Sequence, residues 1–192
     1  MKIENVILDR DGVINEDSDA YIKSPEEFIF IEKSIEAIIA LKQNNINIFI
    51  ATNQSGINRG LYNLTTFFDI NTKLINTIKK YSFGNIHSNN NVISGIYYCP
   101  HTPEQTCTCR KPLPGMITKI KINHNINLNT TAFIGDSMRD LEAAIQAGCA
   151  YQYLVRTGKG INTAHKYKKN LNPNNIFDNL YDCVAYILKN NI

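Results

Sequence analysis

Apolar positions along the chain follow two rhythms. Five short runs, "NVILD" (5–9), "INIFIAT" (46–52), "GIYYC" (95–99), "TTAFIGD" (130–136) and "AYQYLVR" (150–156), are rich in β-branched and aromatic residues. Polar turns bound them, the pattern of strands buried in a sheet. Between the runs the spacing turns helical. Ile35, Ile38, Ile39 and Lys42 recur over 33–43, and Phe67, Ile70, Leu74, Ile75 and Ile78 make one stripe over 66–80, where Thr66 and Asp69 have the spacing of a capping box. Pro112 and Pro114 suit the start of a helix that runs to about residue 123. Ser137 and Asp140 predict a capped helix through Ala147 with Gly148 as its stop, and Leu180, Val184, Ile187 and Leu188 share a face in a closing helix near 179–189.

Strand–helix alternation of this kind predicts an α/β fold, a doubly wound and mostly parallel sheet with helices on both sides. In such folds the ligand lies beyond the carboxyl ends of the strands. The 192 residues suit one domain, 1–192, and hold no insertion long enough for a separate cap. A hydrophobic share of 43% and a charged share of 19% are ordinary for a globular protein. A net charge of +3 gives no basic field for nucleic acid or an anionic membrane. No apolar run approaches the roughly 18 residues of a membrane span. The N-terminus reads as a strand rather than a secretion signal, so a cytoplasmic location is the expectation, and with nothing to suggest an obligate interface a monomer is expected too.

Three strand ends carry chemistry. "DRDG" puts Asp9 and Asp11 on one side of an extended segment and Arg10 on the other. Two such carboxylates can bind one divalent cation, share nucleophilic and acid–base work, or simply sit in a surface turn. "TNQSGINRG" offers Thr52, Asn53 and Ser55, with Gly56 and Gly60 letting backbone N–H groups approach an anion and Arg59 adding charge. "GDSMRD" places Asp136 as a third carboxylate one strand-end over, while helix capping is the expected work of Asp140. With the lysine of "CRKP", these groups describe magnesium-assisted phosphoryl transfer through an aspartyl-phosphate.

The segment "CPHTPEQTCTCRKP" (99–112) holds Cys99, His101, Cys107 and Cys109. Three thiolates and an imidazole suit a closed, tetrahedral zinc site with no position left for substrate. A redox pair would read C-x-x-C, and a thiol nucleophile would need a base beside it. Cys149 and Cys183 follow no ligand spacing and read as core; His87, His124 and His165 stand alone. The pair Tyr97-Tyr98 reads as strand packing.

"DRDGVIN", "ATNQSGINRG", "CRKPLPGM" and "FIGDSMRD", in this order and spacing, resemble the haloacid dehalogenase superfamily, over residues 3 to about 158. "DRDGVINEDSDAYIKSPEEF", "GIYYCPH" and "LVRTGKG" narrow the resemblance to the group that acts on heptose bisphosphates. The resemblance implies a Rossmann-like haloacid dehalogenase fold with a zinc-binding loop and a phosphoric monoester hydrolase. The implied substrate is a small sugar phosphate on the route to the nucleotide-activated heptose of lipopolysaccharide. It implies Asp9 as nucleophile, Asp11 as acid and base, and Thr52 and Lys111 as stabilisers of the transferring phosphoryl group. Magnesium falls to Asp9, Asp11 and Asp136, and substrate contacts to Arg10, Asp17, Tyr21, Asn53, Gln54, Ser55 and Arg110, the last through a second phosphate. Some members carry lysine where this chain has Ser137. A histidinol-phosphate phosphatase is the nearest rival expectation, and a nucleic-acid 3′-end phosphatase a further one that the modest charge disfavours.

Overall fold

The structure, a computed structural model, describes residues 2–82 and 91–191. Its elements run β1 (Asn5–Leu8), α1 (Ser34–Gln43), β2 (Asn47–Asn53), α2 (Leu64–Tyr81), β3 (Gly95–Cys99), α3 (Gly115–His124), β4 (Thr131–Gly135), α4 (Met138–Ala147), β5 (Tyr151–Val155), α5 (Gly160–Lys166), β6 (Ile176–Phe177) and α6 (Leu180–Asn190). The strands form one six-stranded sheet in the order β3-β2-β1-β4-β5-β6, and every neighbouring pair is parallel.

Alternation within the central strands builds two cores. Val6 and Leu8 of β1 face one cluster, with Ile38 and Leu41 of α1, Leu74 of α2 and Val184 and Ile187 of α6. Ile7 faces the other, with Phe49, Phe133, Ile117 and Ile120 of α3 and Ala143 and Ala144 of α4. Val6, Ile7 and Leu8 are all fully buried, and each such side chain contributes about 1.5–3 kcal/mol. A strand buried on both faces has to read as a continuous apolar run, as β1 does.

The chain turns left from β1 to β2 and β3, then crosses to β4 on the other side of β1. That reversal opens the crevice in which doubly wound folds bind ligands. Leu8 pairs with both Ile50 and Ile134, so the ends of β2, β1 and β4 lie side by side.

The five expected strands and five expected helices are present. The start of α2 differs. Asn63 is its cap, the side chain accepting from the backbone N–H of Thr66 at 2.9 Å, so Thr66 lies inside the first turn and is not the cap. The capping box of α4 is formed, and Gly148 ends the helix at φ +92°. α5 and β6 were not anticipated. They lie in the Asn- and Lys-rich tail, where one is short and the other two residues long. Cys149 and Cys183 are buried core residues. Tyr98 packs on Phe67 at 4.4 Å between ring centroids, and His124 packs on Phe49 at 4.7 Å. His87 lies outside the described residues.

Candidate active site

A cavity of about 280 Å³ opens at the carboxyl ends of β2, β1 and β4. Asp9, Asp11, Asp17, Tyr21, Thr52, Asn53, Gln54, Ser55, Arg110, Lys111 and Asp136 all line it. Arg10 does not. It is fully buried, beneath the phenyl rings of Phe28 and Phe67, each 5.7 Å from the guanidinium carbon. Its Nε and Nη2 donate to the Asp11 carboxylate at 3.1 Å. The substrate contact that the resemblance implied for Arg10 is therefore corrected: the guanidinium is spent on Asp11 beneath two aromatic rings and does not reach the cavity.

Asp11 is surrounded by donors. Besides Arg10 it accepts from Asn15 Nδ2 at 2.9 Å and Gln54 Nε2 at 2.8 Å. Gln54 Nε2 also reaches Thr52 Oγ1 at 2.8 Å, and the Tyr62 hydroxyl donates to Gln54 Oε1 at 2.6 Å. That last bond fixes which way the amide points, since its oxygen must face Tyr62 and its nitrogen Asp11. Gly56 is needed behind the tyrosine: a Cβ there would lie 2.3 Å from the ring. Gly56 and Gly60 do not line the cavity; they shape the turn below it, and Arg59 reaches out to Glu104 at 3.7 Å.

Lys111 is buried at the cavity floor. Its ammonium meets Asp9 Oδ2 at 2.8 Å, Asp140 Oδ1 at 2.6 Å and the carbonyl of Ala51 at 2.8 Å. An ammonium has three protons, so all are engaged. The Asn53 amide clamps the lysine backbone, donating to its carbonyl and accepting from its N–H, both at 3.1 Å. Asp140 thus has two tasks. Its Oδ2 accepts from the N–H and the hydroxyl of Ser137 at 3.0 and 2.6 Å, and its Oδ1 holds Lys111.

Asp9, Asp136 and Asp140 each offer a carboxylate oxygen within 4.8 Å of the others. Burial raises Asp9 well above the usual carboxylate range, Lys111 opposing it and the charges of Asp140 and Asp136 adding to it. Burial, followed by the charge of Asp140, pushes Asp136 up to about 7. Gly12 and Gly158 let two backbones close on Asp136: a Cβ at either would lie 2.2 or 2.3 Å from its Oδ2. Crowded, buried carboxylates of this kind suit a hard divalent cation, which takes oxygen ligands and relieves their repulsion.

The second metal-like cluster lies beside the first. Donor atoms of Cys99, His101, Cys107 and Cys109 are all within 4.8 Å of one another. Cys99 Sγ is 3.9 Å from Cys107 Sγ, 3.5 Å from His101 Nδ1 and 3.1 Å from Cys109 Sγ, and Nδ1 is 3.3 Å from Cys109 Sγ. Edges of a tetrahedron around zinc would be about 3.6–3.8 Å for these ligands, and disulfides need about 2.05 Å. The donor set fits zinc, and all five cysteines are free. Arg110, which follows at once, donates from Nη1 to the carbonyl of His101 at 3.0 Å.

Arg139 and Lys159 also line the cavity and were not anticipated. Arg139 lies in the first turn of helix α4 and Lys159 stands at the N-cap of α5, and both reach the site only through the fold. The one sequence signal was their place in "GDSMRD" and "TGKG", directly at strand ends.

Fold and strand-end residues together define a haloacid dehalogenase-like hydrolase. A HAD-hydrolase-like family model matches residues 108–183. The chain is 44% identical over 158 residues to the D-glycero-β-D-manno-heptose-1,7-bisphosphate 7-phosphatase of Bordetella bronchiseptica, covering 82% of this chain and 83% of that one. It is 38% identical to the enzyme of that name from Neisseria meningitidis over 187 residues, 97% of this chain and 95% of the relative. The crystal structure of the D,D-heptose 1,7-bisphosphate phosphatase of B. bronchiseptica, complexed with magnesium and phosphate, superposes with a TM-score of 0.86 at 39% identity, over 98% and 99% of the two chains. The chain belongs to the D-glycero-β-D-manno-heptose-1,7-bisphosphate 7-phosphatase family, whose members are phosphoric monoester hydrolases.

Proposed function

We propose that this protein removes the 7-phosphate of D-glycero-D-manno-heptose 1,7-bisphosphate through a phosphoaspartate on Asp9, in the cytoplasm and as a monomer, with residues 1–192 acting as one catalytic domain. The observation that carries the reading is the cluster at the floor of one cavity, where Asp9, Asp136 and Asp140 converge on one another and on Lys111. Family membership supports the sugar bisphosphate as substrate.

In this mechanism the Asp9 carboxylate attacks phosphorus, the bond to the sugar oxygen breaks, and Asp11 gives that oxygen a proton. Asp11 then takes a proton from the water that attacks the phosphoaspartate, and inorganic phosphate leaves. Thr52 donates to the transferring group, and Lys111, itself bonded to Asp9, Asp140 and Ala51, stabilises that group by its charge. Asp17, Tyr21, Asn53, Gln54 and Ser55 shape the sugar site, and Arg110 faces the second phosphate. Asp9, Asp11 through its carbonyl, and Asp136 would hold magnesium. When bound, the ion supplies charge neutralisation for the transferring phosphoryl group. Cys99, His101, Cys107 and Cys109 would hold zinc, which would tie down the loop that carries Arg110 and Lys111.

The assay that tests this compares heptose 1,7-bisphosphate, histidinol phosphate and 3′-phosphorylated DNA with magnesium present. Preference for either of the last two would overturn the substrate reading while leaving the chemistry in place.

A pH dependence of the metal site follows from Asp136. Burial pushes its carboxyl up to about 7, above its unfolded value, so the stability it contributes is present at low pH and is lost as pH rises from the usual carboxylate range through about 7. Magnesium needs the ionised form, so its affinity falls as pH drops below about 7. Magnesium chloride should raise Tm at about pH 8 more than at about pH 6 in thermal melts. An equal or larger shift at the lower pH would remove Asp136 from the metal site.

A further inference from the structure

A second cavity, of about 630 Å³, adjoins the first, and Arg139 and Lys159 line both. Lys159 is balanced: its Nζ pairs with Asp17 at 3.2 Å and Asp19 at 3.5 Å. Arg139 is exposed and makes no hydrogen bond or ion pair with any described residue. Arg110 likewise has no carboxylate within ion-pair distance among the described residues and spends one guanidinium nitrogen on the His101 carbonyl. Burial, then the charge of Arg139, lowers the proton affinity of Arg110, whereas at Lys159 burial and a smaller opposing effect of Arg139 are overcome by Asp17 and Asp19, which hold it up. Arg139 also stands in the first turn of α4, where the helix dipole disfavours a cation. Ser137 beside it brings no charge and commits its hydroxyl to Asp140. Arg110 and Arg139 therefore line the first cavity as like charges, at a cost to the fold and with no acid among the described residues paired to either. A phosphate dianion is the ligand that removes that cost, and a guanidinium can grip it with two parallel N–H donors.

We propose that Arg139 is a specificity-determining residue, the second cationic arm beside Arg110 for the phosphate that is not transferred, so that it selects bisphosphates over monophosphates. The proposal rests on the bisphosphate reading above. Its test is kcat/KM of Arg139→Ala and Arg139→Lys on heptose 1,7-bisphosphate and on the same sugar carrying the 7-phosphate alone, with melting curves for each variant. Arg139→Ala should lose about 10- to 100-fold on the bisphosphate, mainly in KM. It should keep wild-type activity on the monophosphate, and its Tm should be unchanged or slightly raised; Arg139→Lys should recover part of the loss. A wild-type preference for the bisphosphate that Arg139→Ala retains would overturn the subsite alone, as would equal losses on both substrates. A wild-type enzyme without that preference would overturn the substrate reading, and the subsite with it.

Discussion

Asp9→Asn should leave a folded protein whose phosphate release falls by about four orders of magnitude or more. The amide keeps the size of the carboxylate and removes the electron pair that attacks phosphorus. Two opposing effects act on stability. Lys111 loses its 2.8 Å partner but keeps Asp140 at 2.6 Å and the Ala51 carbonyl at 2.8 Å. Against that, the variant removes an acid whose ionisation burial already opposes. Circular dichroism and a melt should show a native fold, and a phosphate-release assay should show no burst. Retained turnover above about 1% of wild type would exclude a covalent intermediate on Asp9, because the remaining groups bind and polarise but supply no nucleophile.

The second large effect is expected at the zinc loop. Cys107→Ser, or exhaustive chelation of the wild type, should release zinc and cost several kcal/mol, since binding energy at a structural site is folding energy. For a chain of this size each kcal/mol is worth about 2–4 °C, so Tm should fall by roughly 10 °C. Activity should fail in a particular order. The loop ends two residues before Lys111, and its His101 carbonyl receives Arg110 at 3.0 Å. Lys111 has a second anchor in the Asn53 amide, whereas Arg110 leans on the loop. KM should therefore rise before kcat falls. Metal analysis by mass spectrometry checks the ligand: a Cys107→Ser protein with undiminished zinc would remove Cys107 from the site.

Much of this architecture is legible in the chain. β1, β2 and β4 are buried on both faces, so their apolar runs announce them, and the residues that end them must lie together at one edge of a parallel sheet. Asp9, Thr52 and Asp136 needed no more than that. The zinc donors are local and equally readable. What could not be read depends on approach through space. Asp140 has the spacing of a helix cap and is one, but its other oxygen is claimed by Lys111, 29 positions earlier in the chain. Alternation sets Arg10 opposite Asp9 and Asp11, but only the fold shows Phe28 and Phe67 closing over it. Tyr62 looks like any turn aromatic until the fold lays its hydroxyl on Gln54. α5 and β6 carry no strong apolar rhythm, because at the sheet's outer edge they have little to bury.

The floor of the cavity also has a charge balance. Lys111 is one cation among Asp9, Asp136 and Asp140, so with all three acids ionised the group is doubly negative. A phosphate dianion approaching that floor meets repulsion, whereas one divalent cation there brings the sum to zero. The rim residues Arg110 and Arg139 supply the long-range attraction for a phosphate once the floor has become neutral.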